Sequence, residues 1–416
     1  MNFYFISLLF AIPIFIILII IEEIFAKFKG IKINRAADII SSQSSGMTNI
    51  IFDALKFSIA IISYSWLVDK LAIIHIELTW ISFVITFLII DFAGYWDHRL
   101  SHRINILWNR HYIHHSSEDF NLSCALRQSI SNFIRFSSIF MIPAALLGIP
   151  ASLFAIIGPI HLFLQFWYHT QLINKMGILE YIIVTPSHHR VHHAINPEYI
   201  DKNYSQIFIF WDKIFDTFQN ELQNVKPVYG TLKPAKTWNP IFINFKHLKQ
   251  LCLDSWRTKN IKDKFLIWIM PTGWRPKDVN KSFPLQKRNK KKYETPMTIP
   301  LTFWSFFQLN ITSIFLFHFL YTIPKNSYLM NYLYAILLLI HIFSFTSILD
   351  MKMYSIFAEF MKISLGFFIL ITNNYIWFNL SGKFIYIIFF YSIISLSLTI
   401  FFYLKNRTNN QFTILT

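Results

Sequence analysis

LTWISFVITFLIIDFAGYWDHRLSHRINILWNRHYIHH, residues Leu78–His115, holds the two features on which the fold turns. Its first part, Leu78–Tyr95, is apolar over close to the length that crosses a bilayer, about 20 residues as a helix. Its second part sets His98 and His102 four residues apart where that run ends, followed by His111, His114 and His115. Helical residues three or four apart share a face, so His98 with His102, or His111 with His114 or His115, can grip one ion. Adjacent His114 and His115 point about 100° apart and suit two neighbouring ions better than one. A second cluster, Thr185-Pro186-Ser187-His188-His189-Arg190-Val191-His192-His193, repeats the H-x-x-H-H spacing at His189, His192 and His193. Imidazole serves zinc, iron, copper and nickel alike, so the spacing predicts metal without choosing which.

The remainder of the chain fits a membrane setting. Hydrophobic residues make up 54% and charged residues 14%, where a soluble domain carries about a quarter charged. Disorder and collagen-like repeats are excluded by the same composition. Cys124 and Cys252 show neither disulfide-scaffold nor metal-ligand spacing. Phe3–Ala26 reads as a retained span rather than a removable signal, having no basic leader and no small-residue cleavage site. Lys27, Lys29, Lys32 and Arg35 then mark its far end as cytoplasmic. Ile50–Val68 reads as a second span and Leu78–Tyr95 as a third. Phe133–Leu147 and Ala151–Trp167, turned by Gly148-Ile149-Pro150, read as a hairpin that is either a full pair of spans or re-entrant. Four further apolar stretches lie near Ile299–Thr322, Leu329–Leu349, Tyr354–Ile371 and Phe384–Leu404. The expected organisation is membrane helices at 1–90, a catalytic region at 91–230, a basic cytoplasmic segment at 231–297 and membrane helices at 298–416.

The formal charge of +16 falls largely in that basic segment, which ends in Lys287, Arg288, Lys290, Lys291 and Lys292. Lying between spans and carrying no nucleic-acid module, it points to topology and lipid headgroups, not to nucleic acid. Of the 15 histidines, His75, His247, His318 and His341 read as polar anchors at the membrane interface. His161 reads equally as a polar hairpin residue or as part of the metal centre. The fold class expected is all-α: multi-pass membrane helices with a cytoplasmic, histidine-rich cap for two metals.

At these residues the sequence resembles a known family. Asp91-Phe92-Ala93-Gly94-Tyr95-Trp96-Asp97-His98-Arg99, His102, and His111 through Asp119 resemble the fatty acid hydroxylase/sterol desaturase superfamily. So do Thr185–His193, Asp201-Lys202-Asn203-Tyr204 and Phe210-Trp211-Asp212-Lys213-Ile214-Phe215. Asn121-Leu122-Ser123, Ala125-Leu126-Arg127-Gln128-Ser129, Gln165-Phe166-Trp167-Tyr168-His169-Thr170, Leu179-Glu180-Tyr181 and Gly273-Trp274 look like its alkylglycerol monooxygenase branch. The likeness is close from Asp91 to Gly230 and looser in the tail.

The resemblance implies an integral membrane monooxygenase with two non-haem irons per chain. Such an enzyme uses O2 and tetrahydrobiopterin to hydroxylate the carbon beside the ether oxygen of an alkylglycerol. The resulting hemiacetal separates into a fatty aldehyde and a glycerol derivative. Motif by motif, iron ligation is implied for His98, His102, His111, His114, His115, His189, His192 and His193. His169 is implied as a ninth ligand, and His188 as an alternative or supporting residue. Orienting partners for the ring nitrogens are expected among Asp91, Asp97, Glu118, Asp119, Asn121, Glu180, Asp201 and Asp212. Arg103 and Gln171 depart from the pattern where acids would stand, which bears on the pterin and substrate surroundings more than on the metal. No H-P-G-G cytochrome signature is present, so the expected reductant is a diffusible pterin or an external reductase. The alternatives are a sterol, carotenoid or fatty acyl hydroxylase or desaturase with an external electron donor, and, from another class, a histidine-lined metal transporter.

Overall fold

A computed structural model describes residues 3–285, 288 and 291–414, so Lys287 and Lys290 of the basic run lie outside the described residues. Helices run in the order α1 (Phe3–Phe28), α2 (Ala36–Ala54), α3 (Tyr64–Leu71), α4 (Trp80–Arg103), α5 (Asn105–His115), α6 (Ile142–Leu146), α7 (Ala151–Phe163) and α8 (Pro186–His193). They continue as α9 (Phe210–Ile214), α10 (Pro240–Arg257), α11 (Ile261–Ile269), α12 (Lys277–Ser282), α13 (Ile299–Thr322), α14 (Tyr328–Leu349), α15 (Tyr354–Thr372) and α16 (Lys383–Ile414). Among the described residues, extended pairing amounts to a two-residue parallel ladder, Ile59–Ala60 with Ile134–Arg135, and isolated bridges. Among the described residues, six helices are long and apolar enough to cross a membrane: Ser7–Phe28 of α1, all of α4, α13, α14 and α15, and Lys383–Lys405 of α16.

Contacts gather the chain into two units. The first comprises Met1–Asn34, Phe57–Pro234 and Asn244–Lys290; the second comprises Arg35–Lys56, Ala235–Ile243 and Lys291–Thr416.

In the first unit, α1, α4 and α7 pack together and lead toward the histidines. Phe15 stacks on Phe166 at 4.2 Å, Glu22 accepts from the Thr170 hydroxyl at 2.6 Å, and Asp91 meets His161 at 2.9 Å. Helix α4 starts at a capping box, Thr79 with Ser82, and continues past the expected end at Tyr95 to carry His98 and His102. The expected span Ile50–Val68 is not one helix. Helix α2 stops at Ala54, Lys56 turns with φ +55°, and the chain is extended before α3. Residues 57–79 instead travel beside 132–150, Ile59 opposite Ile134 and Ile73 N–H donating to Leu146 O at 3.0 Å. Gly148 turns the hairpin at φ +64°, where a Cβ would lie 2.1 Å from Ile74 O, so only glycine fits. Helix α7 has 13 residues, about 20 Å, well short of a bilayer core of about 30 Å; of the two hairpin readings, the re-entrant one matches this length.

The second unit gathers α2 with α13–α16. Helix α2 sets four serines between its aliphatic ends, and it buries Ser41, Ser42, Ser44, Ser45 and Thr48. Helices α13 and α14 begin at hydroxyl caps, Thr298 accepting from Leu301 N and Ser327 from Met330 N. Asp350, at the end of α14, accepts from Trp238 N at 2.9 Å and Tyr293 OH at 3.0 Å.

Candidate metal centre

Four pieces of backbone deliver the histidines. Helix α4 ends with His98 and His102, and the extended Ile104 breaks it from α5, which carries His111, His114 and His115. Asn105 fixes that break, donating to Ile267 O at 2.9 Å and accepting from Gly273 N at 3.0 Å, which gives the Gly273-Trp274 motif a structural role. His169 follows α7, and α8 supplies His189, His192 and His193.

The side chains converge as two groups. His98, His102, His111, His115 and His192 form one; His114, His169, His189 and His193 form the other. Within each group the ligand-capable atoms all lie within 4.8 Å of one another. The adjacent pairs His114/His115 and His192/His193 are split between the groups, as their angular offset on a helix requires.

Hydrogen bonding fixes what these rings can do. A carbonyl can only accept, so each ring nitrogen facing one carries the proton. Nδ1 donates to Tyr204 O from His98 (2.7 Å), to Lys202 O from His192 (3.0 Å), to Gln165 O from His169 (3.0 Å) and to Arg127 O from His114 (3.3 Å). In the neutral ring, Nε2 is then a bare lone pair. The Nε2 atoms of His169 and His114 nevertheless face each other at 3.4 Å. In the first group His102 Nε2 is buried with no hydrogen-bond partner, and in the second His189 Nε2 faces His169 Nε2 at 2.8 Å and His193 Nε2 at 3.0 Å. Lone pairs directed at one another in a buried space fit a cation between them.

Electrostatics agree with this reading. Burial, reinforced by the neighbouring rings, pushes His111, His115, His169, His189, His192 and His193 well below the usual histidine range, and pushes His114 down to about 3. Neutral imidazole is the form that ligates. Aromatic walls keep water out: Trp108 lies 5.0 Å from His102, Tyr168 4.3 Å from His189 and Phe120 5.2 Å from His193, between ring centres.

His188 lies outside both groups. Its Nδ1 accepts from Thr185 N at the start of α8, and its Nε2 sits 4.0 Å from Glu180, with burial holding the ring down to about 4. His161 belongs to neither group and bonds Asp91. His247 donates to Asn105 O and so braces α5 rather than anchoring at an interface. At His98, His114, His169 and His192 the partner is a backbone carbonyl. Of the expected acids, Asp212 holds one of those backbones, accepting from Tyr204 N at 2.7 Å and Ser205 N at 2.8 Å. Arg103 pairs with Asp201 at 2.8 Å, while Gln171 donates to Phe120 O at 2.7 Å, behind the second group. Arg288, from the basic run, turns inward to Glu118 (3.0 Å) and Tyr229 O (2.8 Å). Glu22 was not singled out from sequence. An acid late in an otherwise apolar span was the available signal, and it ties α1 to Leu122 N and Thr170.

These pKa directions predict an acid sensitivity. Below the ordinary histidine value of about 6.5 the unfolded chain binds protons that the native rings refuse, so stability falls as pH drops. The metal-free protein in detergent is expected to melt at progressively lower temperature from about pH 6.5 downward. A melting temperature constant from pH 7.5 to 5 would contradict native rings held neutral.

Comparison with known proteins shows what the chain is similar to. Residues 83–217 match the fatty acid hydroxylase family. Alkylglycerol monooxygenase of Homo sapiens is 42% identical over 271 residues, covering 64% of this chain and 59% of the human protein. Alkylglycerol monooxygenase of Danio rerio is 42% identical over 275 residues, with coverage of 64% and 59%. The ornithine lipid hydroxylase OlsE of Rhizobium tropici is 31% identical over 137 residues, covering 33% of this chain and 41% of its own. The chain thus spans about 59% of the length of the vertebrate relatives it matches. No solved structure matches.

Proposed function

We propose that this chain, whose residues 83–217 match the fatty acid hydroxylase family, is an integral membrane monooxygenase that hydroxylates a lipid alkyl chain. The substrate class is alkylglycerols and the metal is iron, two per chain. The observation that carries the reading is the pair of histidine groups sharing two adjacent-histidine pairs, with unprotonated nitrogens directed inward. Similarity to alkylglycerol monooxygenases narrows it to the ether.

An unactivated C–H bond is beyond protein acids and bases, so the bound metal pair supplies the oxidising chemistry with O2. The chain supplies the rest. Nδ1–H bonds to carbonyls 202 and 204 hold His192 and His98 in one orientation. Trp108, Tyr168 and Phe120 keep bulk water from the reacting carbon. In balance, R–CH2–O–R′, O2, two electrons and two protons give R–CH(OH)–O–R′ and water. The hemiacetal then separates into R–CHO and HO–R′ as its hydroxyl proton passes to the ether oxygen. The two electrons come from tetrahydrobiopterin, and the lipid bilayer supplies the substrate. Lys27 in the last turn of α1 and Lys29, Lys32 and Arg35 just after it support a cytoplasmic placement of the centre.

The test uses membranes containing the full chain. Fatty aldehyde is expected from an alkylglycerol when O2 and tetrahydrobiopterin are given, and none when the pterin is withheld. A second reading, favoured by the similarity to an ornithine lipid hydroxylase, is acyl-chain hydroxylation driven by an external reductase. No aldehyde with pterin, together with turnover of an acyl lipid with a reductase, would select it.

A further inference from the structure

The second unit holds a polar cluster within α13–α16 that the histidine centre does not use. Gln308, His341, Ser344, Glu359, Lys362 and Ser395 are all buried within apolar helices, with Gln308, His341, Lys362 and Ser395 nearest their middles. His341 is therefore not an interface anchor. Ionisable groups at such depth are costly and mark functional sites by default.

The cluster closes on itself. The Lys362 ammonium reaches Glu359 Oε2 at 2.7 Å, Ser395 Oγ at 3.0 Å and His341 Nδ1 at 3.4 Å, which engages its three hydrogens. His341, accepting at Nδ1, carries its proton on Nε2 and faces the Tyr391 oxygen at 3.2 Å. Tyr391 donates to Gln308 Oε1, and Gln308 Nε2 donates to Ser395 Oγ at 2.9 Å. The ring is neutral as a whole.

Against this ring lies a cavity of about 60 Å³. His341, Lys362, Tyr391 and Ser392 form its polar end, and its walls are aromatic and aliphatic, including Trp377 and Leu338. Gly366 also lines it, where a Cβ would stand in ordinary contact with the Trp377 ring at 3.4 Å. Phe367 of α15 and Phe389 of α16, both among its lining residues, are exposed, so the mouth lies between these helices and faces lipid. One water needs about 10–15 Å³, so the cavity accommodates a polar group and a few carbons, with any longer chain lying outside in the bilayer.

The hydrogen-bond inventory selects the polar group. Lys362, His341 and Tyr391 direct their hydrogens into the ring, and Ser392 donates its own to Ile388 O at 2.8 Å. What the wall offers is oxygen lone pairs, on Ser392 above all, and the buried, otherwise unpartnered indole N–H of Trp377. A carboxylate or ammonium would arrive without a counter-ion, and a ketone or ether could only accept, whereas a hydroxyl both donates and accepts. We propose that this cavity binds the hydroxyl end of an uncharged, bilayer-dissolved lipid alcohol entering between α15 and α16. The proposal rests on the second unit alone and stands or falls independently of the reaction at the histidines.

The probe is a 16-carbon alcohol with a photoreactive diazirine near its hydroxyl end, added to the full-length protein in lipid nanodiscs. Labelling is expected to concentrate on Ile363–Phe367 and Phe389–Ser392. Hexadecanol should suppress it at a concentration at least tenfold below that needed of hexadecyl methyl ether, which cannot donate. Hexadecylglycerol in a parallel arm distinguishes a simple fatty alcohol from a glycerol-bearing lipid by which competes better. Ile363→Trp, at the partly exposed mouth, should cut labelling at least fivefold, and Ser392→Ala should erase the preference of alcohol over ether. Equal competition by the ether overturns the proposal, as does undiminished labelling of Ile363→Trp. Should Ile363→Trp fail to assemble, Ser392→Ala decides: a preference that survives it overturns the assignment of the hydroxyl to this wall.

Discussion

On the di-iron reading proposed above, replacing His192 with alanine is expected to lower aldehyde release more than a hundredfold and to reduce bound iron from two per chain toward one. His192 contributes Nε2 at 3.1 Å from His115 Nε2, while its ring centre lies 4.4 Å from that of His98. Its loss therefore opens the five-membered group from the side that α8 closes. Partners one step removed from a metal typically change affinity 10- to 100-fold, so a side chain inside the group should exceed that. Insertion should be unaffected, because α8 is eight residues of polar sequence and no part of a span. His188→Ala supplies the contrast. It lies four positions away on the same helix and is fully buried, yet points to the Thr185 cap. That variant should keep both irons and lose about 1 kcal/mol of stability, the usual value of a cap. Full metal content and activity in His192→Ala would remove it from the centre; metal loss in His188→Ala would place that residue there instead.

This contrast also shows where sequence was sufficient. Spacing alone separates His114 from His115 and His192 from His193, because adjacent helical residues cannot face the same point. The long spans were equally legible, since twenty apolar residues leave a helix few alternatives: α13–α16 fall within a few residues of their expected bounds, the last continuing beyond its span. What was not legible depended on tertiary contact. Ile50–Val68 has span-like composition, but its first residues end a serine-rich helix and its middle pairs with 134–135. His188 and His189 are indistinguishable by pattern until Thr185 and Glu180 claim the former. The orienting groups were sought among acids because acids are conspicuous in a sequence, whereas the carbonyls of Lys202 and Tyr204 leave no mark there. His341 has no neighbour in sequence to betray Lys362 or Tyr391.

Asp91→Ala is expected to be the most damaging change outside the histidine groups. The carboxylate is fully buried and accepts from four donors: His161 Nε2 at 2.9 Å, Ile207 N at 2.9 Å, Phe208 N at 3.0 Å and Trp211 Nε1 at 2.9 Å. Through His161 it reaches Gln165, whose side chain lies 3.0 Å from His161 Nδ1 and whose carbonyl holds His169. Through 207–211 it positions the segment that bears Asp212 and thus the carbonyl that holds His98. Alanine would leave four buried donors without an acceptor, at about 1–3 kcal/mol each when isolated, less in sum because the segments can relax. A net loss of about 3–5 kcal/mol is the scale for breaking a buried charged partner. Both histidine groups are affected at once, so iron content and melting temperature in detergent should fall together, with turnover down at least tenfold. Asp91→Asn discriminates between charge and geometry. It keeps one acceptor oxygen but turns an NH2 toward two of the four donors, so it should recover only part of the loss. If Asp91→Asn matched the wild type in iron and melting, the carboxylate would be a passive filler and the orientation of His169 and His98 would have to come from their carbonyls alone.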